Sequence, residues 1–256
     1  MKLTQRILRK IKYFILLANY RLIYSKKDSG YGNWLLNKSI IKKTIIFSKL
    51  RPLNEKNINV QRTVKFLKFI KKRNLRNIVD FGGGAGFHYF IANIKLPKFN
   101  FKWLIIENKT MVRLCNKQFN HKNLFFFNSL IKIKKIDIFF SSCAINYTEN
   151  PSETIKRISK LNSKYFYFTR TPLGENKSLE FKQTSLLSDN GPCKIKNEKD
   201  IIIECKNKII SKQSFENIFK KKFIIIAKYI DEKKAFSYEK NYFNTYTYIL
   251  KKKIKF

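Results

Sequence analysis

Apolar residues in this chain form short continuous runs, and segments with helical spacing lie between those runs. The strand-like runs are NIVDF, FKWLIIE, NLFFFN, KIDIFFSS, KYFYFTRTP, KFIIIAKYI and NTYTYILKKK. In residues 58–74, by contrast, Val60, Val64, Leu67 and Ile70 recur on one helical face. Strands that alternate with helices predict an α/β protein built around a parallel sheet.

Departures from this alternation of strands and helices indicate how the chain is organised. The last two strands are joined by about a dozen polar residues, DEKKAFSYEKNY, which is too short for a helical crossover and predicts an antiparallel pair. Residues 174–210 are mostly polar, and we interpret them as a lid-like insertion. The sequence therefore predicts an N-terminal extension over residues 1–57 and one catalytic-type domain over residues 58–256.

The N-terminal extension begins with a basic amphipathic pattern. The apolar residues share one helical face: Leu3, Ile7, Ile11, Phe14, Ile15, Ala18 and Leu22. The cations lie on the other side of the helix: Lys2, Arg6, Arg9, Lys10 and Lys12. Such a helix can lie on an anionic membrane, or it can pack on its own domain. The apolar stretch is too short to span a bilayer, and Arg21 interrupts it, so a signal peptide is not predicted.

Charge and cysteine content limit the function classes. The formal net charge is +38, but Arg provides only 10 of the 55 basic residues. Because Arg is the residue favoured for bidentate recognition of bases and phosphates, a solvated lysine coat ranks ahead of a nucleic-acid surface. The four cysteines have no CxxC spacing, which gives no support for a metal site and fits a reducing, cytoplasmic setting.

The segment RNIVDFGGGAGFHYF, residues 76–90, contains four of the eight glycines of the chain. It places Asp80-x-Gly82-x-Gly84-x-Gly86 between a strand and a helix, where backbone amides and the helix dipole can face a ligand. A dinucleotide fingerprint needs a small residue at position 87, which is Phe87 here. The loop instead resembles D-x-G-x-G-x-G, the signature of class I S-adenosylmethionine-dependent methyltransferases.

This resemblance implies a Rossmann-like class I methyltransferase fold, with a seven-stranded, mostly parallel sheet whose last strand is antiparallel. It also implies S-adenosylmethionine as the cofactor. Glu107 ends the second strand about twenty residues after the loop, where an acidic residue can accept both ribose hydroxyls. The cofactor-binding residues that we expect are Asp80, Gly82, Gly84, Gly86, Glu107, Asn128 and Ser142.

Three further segments, DFGGGAG, SSCAINYTENP and FTRTPLGENKSLEFKQT, resemble a bacterial methyltransferase family whose genes lie near those for lipopolysaccharide or other surface-polysaccharide synthesis. SGYGNW, residues 29–34, is similar to a stretch near the N-terminus of that family. The resemblance covers about residues 29–230. It implies a small-molecule or lipid-linked glycan acceptor.

The catalytic candidates follow the strand ends. His88, just after the loop, is either a general base or a structural hydrogen-bond donor. Tyr147, after the fourth strand, either orients the acceptor or only packs. Arg170, expected at the end of the fifth strand before a turn at Pro172, either grips a phosphate or carboxylate of the acceptor or forms a structural salt bridge. Gln183 on the insertion is a weaker candidate.

Two other functions stay open at this point. The basic surface is compatible with an RNA methyltransferase, although nucleic acid ranks behind a glycan acceptor. The fold is also compatible with a binding module that has lost catalysis. We expect a cytoplasmic protein, with peripheral contact at an anionic membrane face if the N-terminal helix binds lipid.

Overall fold

The computed structural model describes residues 3–24, 38–50, 55–133, 135–191, 193, 195–238 and 241–253. Within these ranges the helices are α1 (Leu3–Tyr24), α2 (Lys38–Leu50), α3 (Ile58–Lys72), α4 (Phe87–Lys95), α5 (Lys109–Gln118), α6 (Pro151–Ile158) and α7 (Lys212–Lys220). The strands are β1 (Asn77–Phe81), β2 (Lys102–Ile106), β3 (Leu124–Phe127), β4 (Ile136–Ser142), β5 (Ser163–Gly174), β6 (Leu179–Leu186), β7 (Ile202–Ser211), β8 (Phe223–Tyr238) and β9 (Asn241–Lys252). Three single 3₁₀ turns lie at Leu130–Lys132, Ile145–Tyr147 and Leu187–Asp189.

The central sheet has the predicted architecture. Strands β3, β2, β1, β4 and β5 lie side by side in that order and are parallel. Strand β9 pairs antiparallel with both β5 and β8, so that β9 lies between them. The resulting order, β3-β2-β1-β4-β5-β9-β8, confirms the expected seven-stranded sheet with an antiparallel last strand. The winding reverses between β1 and β4, and ligand sites of open α/β sheets form at such a reversal.

Helices cover both faces of this sheet, which explains why its strands are continuous apolar runs. On one face Phe66 of α3 stacks against Phe140 of β4, with ring centroids 4.2 Å apart. On the other face Phe215 of α7 contacts Phe168 of β5 edge to face, at 5.2 Å. Local capping defines the helix starts. At α6, for example, the Asn150 side chain accepts from the Glu153 amide.

The predicted insertion is an antiparallel pair of strands. Strand β6 pairs with β7 along its whole length, from Leu179 opposite Ile209 to Leu186 opposite Ile202. Strand β7 joins the central sheet through only two residues of β5, Leu173 and Gly174. The insertion therefore extends beyond the carboxyl edge of the sheet, and its role as a lid stays a prediction.

The N-terminal helices contact this insertion. Lys43 of α2 is fully buried, and its Nζ donates to the carbonyl oxygens of Leu187 at 2.8 Å and Asn190 at 3.1 Å. The same ammonium group pairs with the Glu198 carboxylate. Further along the insertion, the Thr184 hydroxyl bonds to Tyr13 of α1 at 2.6 Å. In the parts of the chain that the structure describes, no helix has the length and apolarity that crossing a bilayer requires.

Two details differ from the sequence predictions. Strand β5 continues to Gly174, so Pro172 lies within the strand, opposite Thr245, and the predicted turn at this proline is wrong. Arg170 is consequently not at a strand end but at a β-bulge, with a left-handed φ of 51°. Residues 29–34, which we compared with the N-terminus of the polysaccharide-associated family, lie outside the described residues.

Candidate functional site

The glycine loop connects β1 to α4 in a conformation that favours glycine. Gly82, Gly84 and Gly86 have φ values of 73°, 59° and 92°, in the left-handed region. A side chain at Gly82 would also overlap the Cβ of Ala144, in the segment after β4. Glycine is therefore needed at position 82 partly because Ala144 occupies the space that a side chain would take.

The second glycine of the pattern is close to helix α2. A Cβ atom built on Gly84 would lie 3.1 Å from Cγ2 of Thr44, which is tight but not blocked. The amide of Gly84 donates to Oε1 of Glu107 at 3.1 Å. Helix α2 and the end of β2 therefore both border the middle of the loop.

Glu107 joins the loop to the end of β2. Its Oε1 accepts from Gly84, and its Oε2 accepts from the amide of Asn108 at 3.1 Å. The side chain is half-buried, and burial raises the pKa of its carboxyl group. Nδ2 of Asn108 also donates to Oε2, at 3.3 Å. A carboxylate offers about four lone-pair positions, so about one position is free, and a second ribose hydroxyl would displace one of these donors. The loop is thus already bound to the carboxylate, and the ribose-binding role stays a prediction.

Asp80 lies beneath the loop. Its side chain is fully buried, and Oδ2 accepts from Nε1 of Trp103 at 3.1 Å. Its Oδ1 has no hydrogen-bond partner among the described residues. Burial raises the pKa of this carboxyl group to about 7, and the nearby charge of Glu107 acts in the same direction. A Cβ at Gly83 would lie 2.6 Å from this carboxyl group, so Asp80 supports the loop from below.

The two remaining cofactor candidates lie at the same edge of the sheet. Asn128 is exposed and directly follows β3, whose last residue, Phe127, accepts from the Glu107 amide at 3.0 Å. Ser142 is half-buried at the end of β4, in register with Thr169 of β5. Both positions lie at the carboxyl ends of parallel strands, and their contact with a cofactor stays a prediction.

His88 lies in the first turn of α4, and its tautomer follows from its partner. The Thr63 hydroxyl donates its single hydrogen to the carbonyl oxygen of Asn59 at 2.8 Å. Thr63 Oγ1 must then accept from Nδ1–H of His88, 2.9 Å away. The lone pair of the imidazole is therefore on Nε2. Burial and, to a smaller extent, the positive charge of Arg170 lower the pKa of His88 to about 3, so the ring is neutral.

The three catalytic candidates are brought into one region. The charge of Arg170 lowers the pKa of His88 and also acts on Tyr147 and on Cys143, which has a left-handed φ of 54°. Burial raises the pKa of the Tyr147 hydroxyl well above its usual range, so this group stays protonated. His121, the other histidine of the chain, packs against the rings of Tyr89 and Phe90.

One residue of the region, Asp231 on β8, was missed by the sequence analysis. Its Oδ2 accepts from the Arg170 amide at 2.7 Å, from the Thr169 hydroxyl at 2.9 Å and from the Thr247 hydroxyl at 2.6 Å. Nε of Arg62 lies 3.9 Å from its other oxygen. The sequence places Asp231 at the start of a polar linker, whereas the structure extends β8 through that linker to Tyr238. Asp231 therefore holds the bulge that presents Arg170.

A chain of amide side chains connects the site to the insertion. Nδ2 of Asn146, beside Tyr147, donates to Oδ1 of Asn207 on β7 at 2.6 Å. Nδ2 of Asn207 in turn donates to Oε1 of Gln183 on β6 at 3.1 Å. Gln183 is thus connected to the Tyr147 turn through two other residues, and its role in the site stays a prediction. Across the described ranges, no group of three or more His, Cys, Asp or Glu residues is arranged to hold a metal ion.

Comparisons with known proteins give likenesses of structure only. No family model and no curated protein matches this sequence. An S-adenosylmethionine-dependent methyltransferase from Clostridium acetobutylicum is 14% identical and has a TM-score of 0.49, over 93% of this chain and 98% of that chain. The YcgJ protein from Bacillus subtilis is 11% identical with a TM-score of 0.47, over 76% and 99%. The PH0226 protein from Pyrococcus horikoshii is 13% identical with a TM-score of 0.42, over 75% and 89%.

Proposed function

We propose that this protein is an S-adenosylmethionine-dependent methyltransferase whose acceptor carries a phosphate or carboxylate, the preferred class being a sugar or lipid-linked glycan precursor. The observation that supports this best is the arrangement at one edge of the sheet. The glycine loop and Glu107 lie at the ends of β1 and β2, while Tyr147 and Arg170 lie after β4 and on β5. Cofactor and acceptor candidates thus flank the point where the winding reverses.

The loop fits the cofactor in its backbone geometry. Three left-handed glycines and the following helix turn amides toward the edge of the sheet, and Glu107 offers acceptors for a ribose. Asn128 and Ser142 border the same space and would contribute polar contacts. When bound, the cofactor supplies an electrophilic methyl group on a sulfonium. Transfer of that methyl group to an acceptor hydroxyl would require this protein to take up the hydroxyl proton.

His88 is suited to take that proton at Nε2, because Thr63 occupies its Nδ1–H. Burial, together with the positive charge of Arg170, keeps the pKa of His88 too low for a strong base. An anionic acceptor group beside Arg170 would offset that positive charge, and the pKa of His88 would rise as the acceptor binds. Tyr147 keeps its proton and can orient the acceptor through a hydrogen bond.

Arg170 is the residue that favours an anionic acceptor. Its backbone amide is bound by Asp231, but within the described ranges its guanidinium pairs with no carboxylate. A guanidinium can bind a phosphate or carboxylate through two parallel hydrogen bonds. The phosphates of nucleotide sugars and lipid-linked glycans have this chemistry.

Calorimetry with S-adenosylhomocysteine tests the cofactor assignment. We expect an affinity in the micromolar range, on the order of −8 kcal/mol. Glu107→Ala should lower it at least about tenfold, because the ribose acceptors are lost and Gly84 is released. Glu153→Ala removes an exposed carboxylate of α6 and serves as the matched control. Tight binding of NADH, without any heat from S-adenosylhomocysteine, would contradict the proposal.

Transfer to a labelled acceptor tests the reaction itself. The protein is incubated with methyl-labelled S-adenosylmethionine and a fractionated cell extract, and the labelled product is identified. Label in a phosphorylated glycan supports the proposal. Label in RNA would contradict the acceptor class. Cofactor binding without any transfer would instead indicate a binding module of this fold.

A further inference from the structure

Helix α1 is attached to the rest of the protein by its polar side. Tyr13 bonds to Thr184, and Lys12 donates to Asp200 at 2.7 Å. Arg9 pairs with Asp189. All three partners belong to the insertion around β6 and β7. The side of α1 that carries Arg9 and Tyr13 therefore faces the domain, which reverses the usual placement of an amphipathic surface helix.

The opposite side of α1 is an apolar face that points to solvent. It consists of residues at helical spacing whose side chains are between 49% and 66% exposed: Ile7, Leu8, Ile11, Phe14 and Ile15. No other described segment covers this face. Contiguous exposed apolar surface of this kind marks a site for a membrane or a partner.

The charges around the face indicate which occupant it suits. Arg6 and Lys10 are exposed on the same helix, and residues 1–27 contain no Asp or Glu. A second copy of this chain would bring cations against cations across the contact. A nucleic acid would use the cations but would leave the aliphatic side chains and Phe14 unburied. An anionic lipid surface accommodates both the apolar face and the cations of α1, because its acyl chains surround the apolar side chains and its headgroups pair with the cations.

We infer that α1 docks this protein on an anionic membrane surface, with the helix lying flat in the headgroup region and its apolar face toward the acyl chains. The domain then stays in water, held to the helix through Tyr13, Lys12 and the insertion. This inference rests on α1 alone and does not depend on the proposed methyltransferase activity.

Vesicle flotation with the full chain tests the inference. Vesicles of phosphatidylcholine are compared with vesicles that contain about one third phosphatidylglycerol, and we expect at least about tenfold stronger binding to the anionic ones. The double variant Ile11→Ser/Phe14→Ser should reduce binding at least about tenfold. Ile58→Ser/Ile131→Ser removes two exposed apolar side chains elsewhere and is the matched control, with binding unchanged.

Further variants distinguish loss of membrane binding from loss of folding. Leu8→Ser/Ile15→Ser repeats the test at independent positions, and all variants should keep the wild-type melting temperature because the altered side chains are exposed. Arg6→Gln/Lys10→Gln should reduce the preference for anionic over neutral vesicles. Equal binding by wild type and both apolar variants would overturn the inference. A wild-type dimer in light scattering that Ile11→Ser/Phe14→Ser dissociates would also overturn it, in favour of a second copy.

Discussion

Replacing Asp231 tests whether β8 holds Arg170 in position for the acceptor. Asp231→Ala leaves the partly buried Arg170 amide and two threonine hydroxyls without their acceptor. The fixed amide costs about 1–3 kcal/mol, and each hydroxyl, which can rotate toward another partner, costs about 1 kcal/mol. We therefore expect the free energy of unfolding to fall by about 3–5 kcal/mol.

The local consequence is loss of the bulge conformation. A left-handed residue other than glycine costs roughly 1–2 kcal/mol, and the Asp231 contact to the Arg170 amide offsets that cost. Without the contact, Arg170 should relax and its guanidinium should leave the region of His88. Methyl transfer should then fall much more than cofactor affinity, because Glu107 and the glycine loop lie on the other side of the winding reversal.

Urea unfolding and calorimetry with S-adenosylhomocysteine measure the two effects. Asp231→Asn keeps an acceptor oxygen and should lose only about 1–2 kcal/mol. The adjacent Glu232→Ala is the control, because this carboxylate is 55% exposed whereas Asp231 is 6% exposed. Its loss should cost less than about 1 kcal/mol. If Asp231→Ala is no less stable than Glu232→Ala, the reasoning about this buried carboxylate is refuted.

Two further predictions concern the site. Arg170→Lys should leave the affinity for S-adenosylhomocysteine within about twofold, measured by calorimetry, while methyl transfer falls at least about tenfold. The reason is that lysine keeps the positive charge but lacks the planar guanidinium. If both cofactor affinity and transfer are lost, Arg170 belongs to the cofactor site or to the scaffold. The pKa of Asp80 is raised from 3.8 to about 7, so its contribution to stability is present at low pH and is lost as pH rises to about 7. Asp80→Asn should therefore gain stability relative to wild type as pH rises from about 4 to about 7 in urea unfolding, and a constant difference over that range would contradict the assignment.

Elements whose identity depends on local pattern were predictable from the sequence. The seven strand runs are continuous because helices cover both faces of the sheet, and the short connection between the last two strands allowed only antiparallel pairing. The glycine loop was equally recognisable, since left-handed backbone at three positions needs glycine at three positions. At these places the local sequence preferences predict the structure that is observed.

Features that depend on distant partners were not predictable. Arg170 looked like a strand-end residue because Pro172 resembled a turn, but strand β9 supplies a partner that extends β5 past the proline. The tautomer of His88 depends on Thr63, which precedes it by 25 residues on another helix. The positions of these partners follow from the packing of whole elements, which no local pattern encodes.

The insertion gives the two proposals a common structural basis. Its outer side binds α1 through Thr184, while its inner side reaches the turn of Tyr147 through Asn207 and Asn146. If α1 lies on a membrane, the acceptor side of the site is connected to that surface by one pair of strands. A lipid-linked acceptor would be presented at the same surface, whereas a soluble nucleotide sugar would gain nothing from docking. Vesicle binding that persists in Arg170→Lys, together with lost transfer, would distinguish a working docking helix from a working acceptor site.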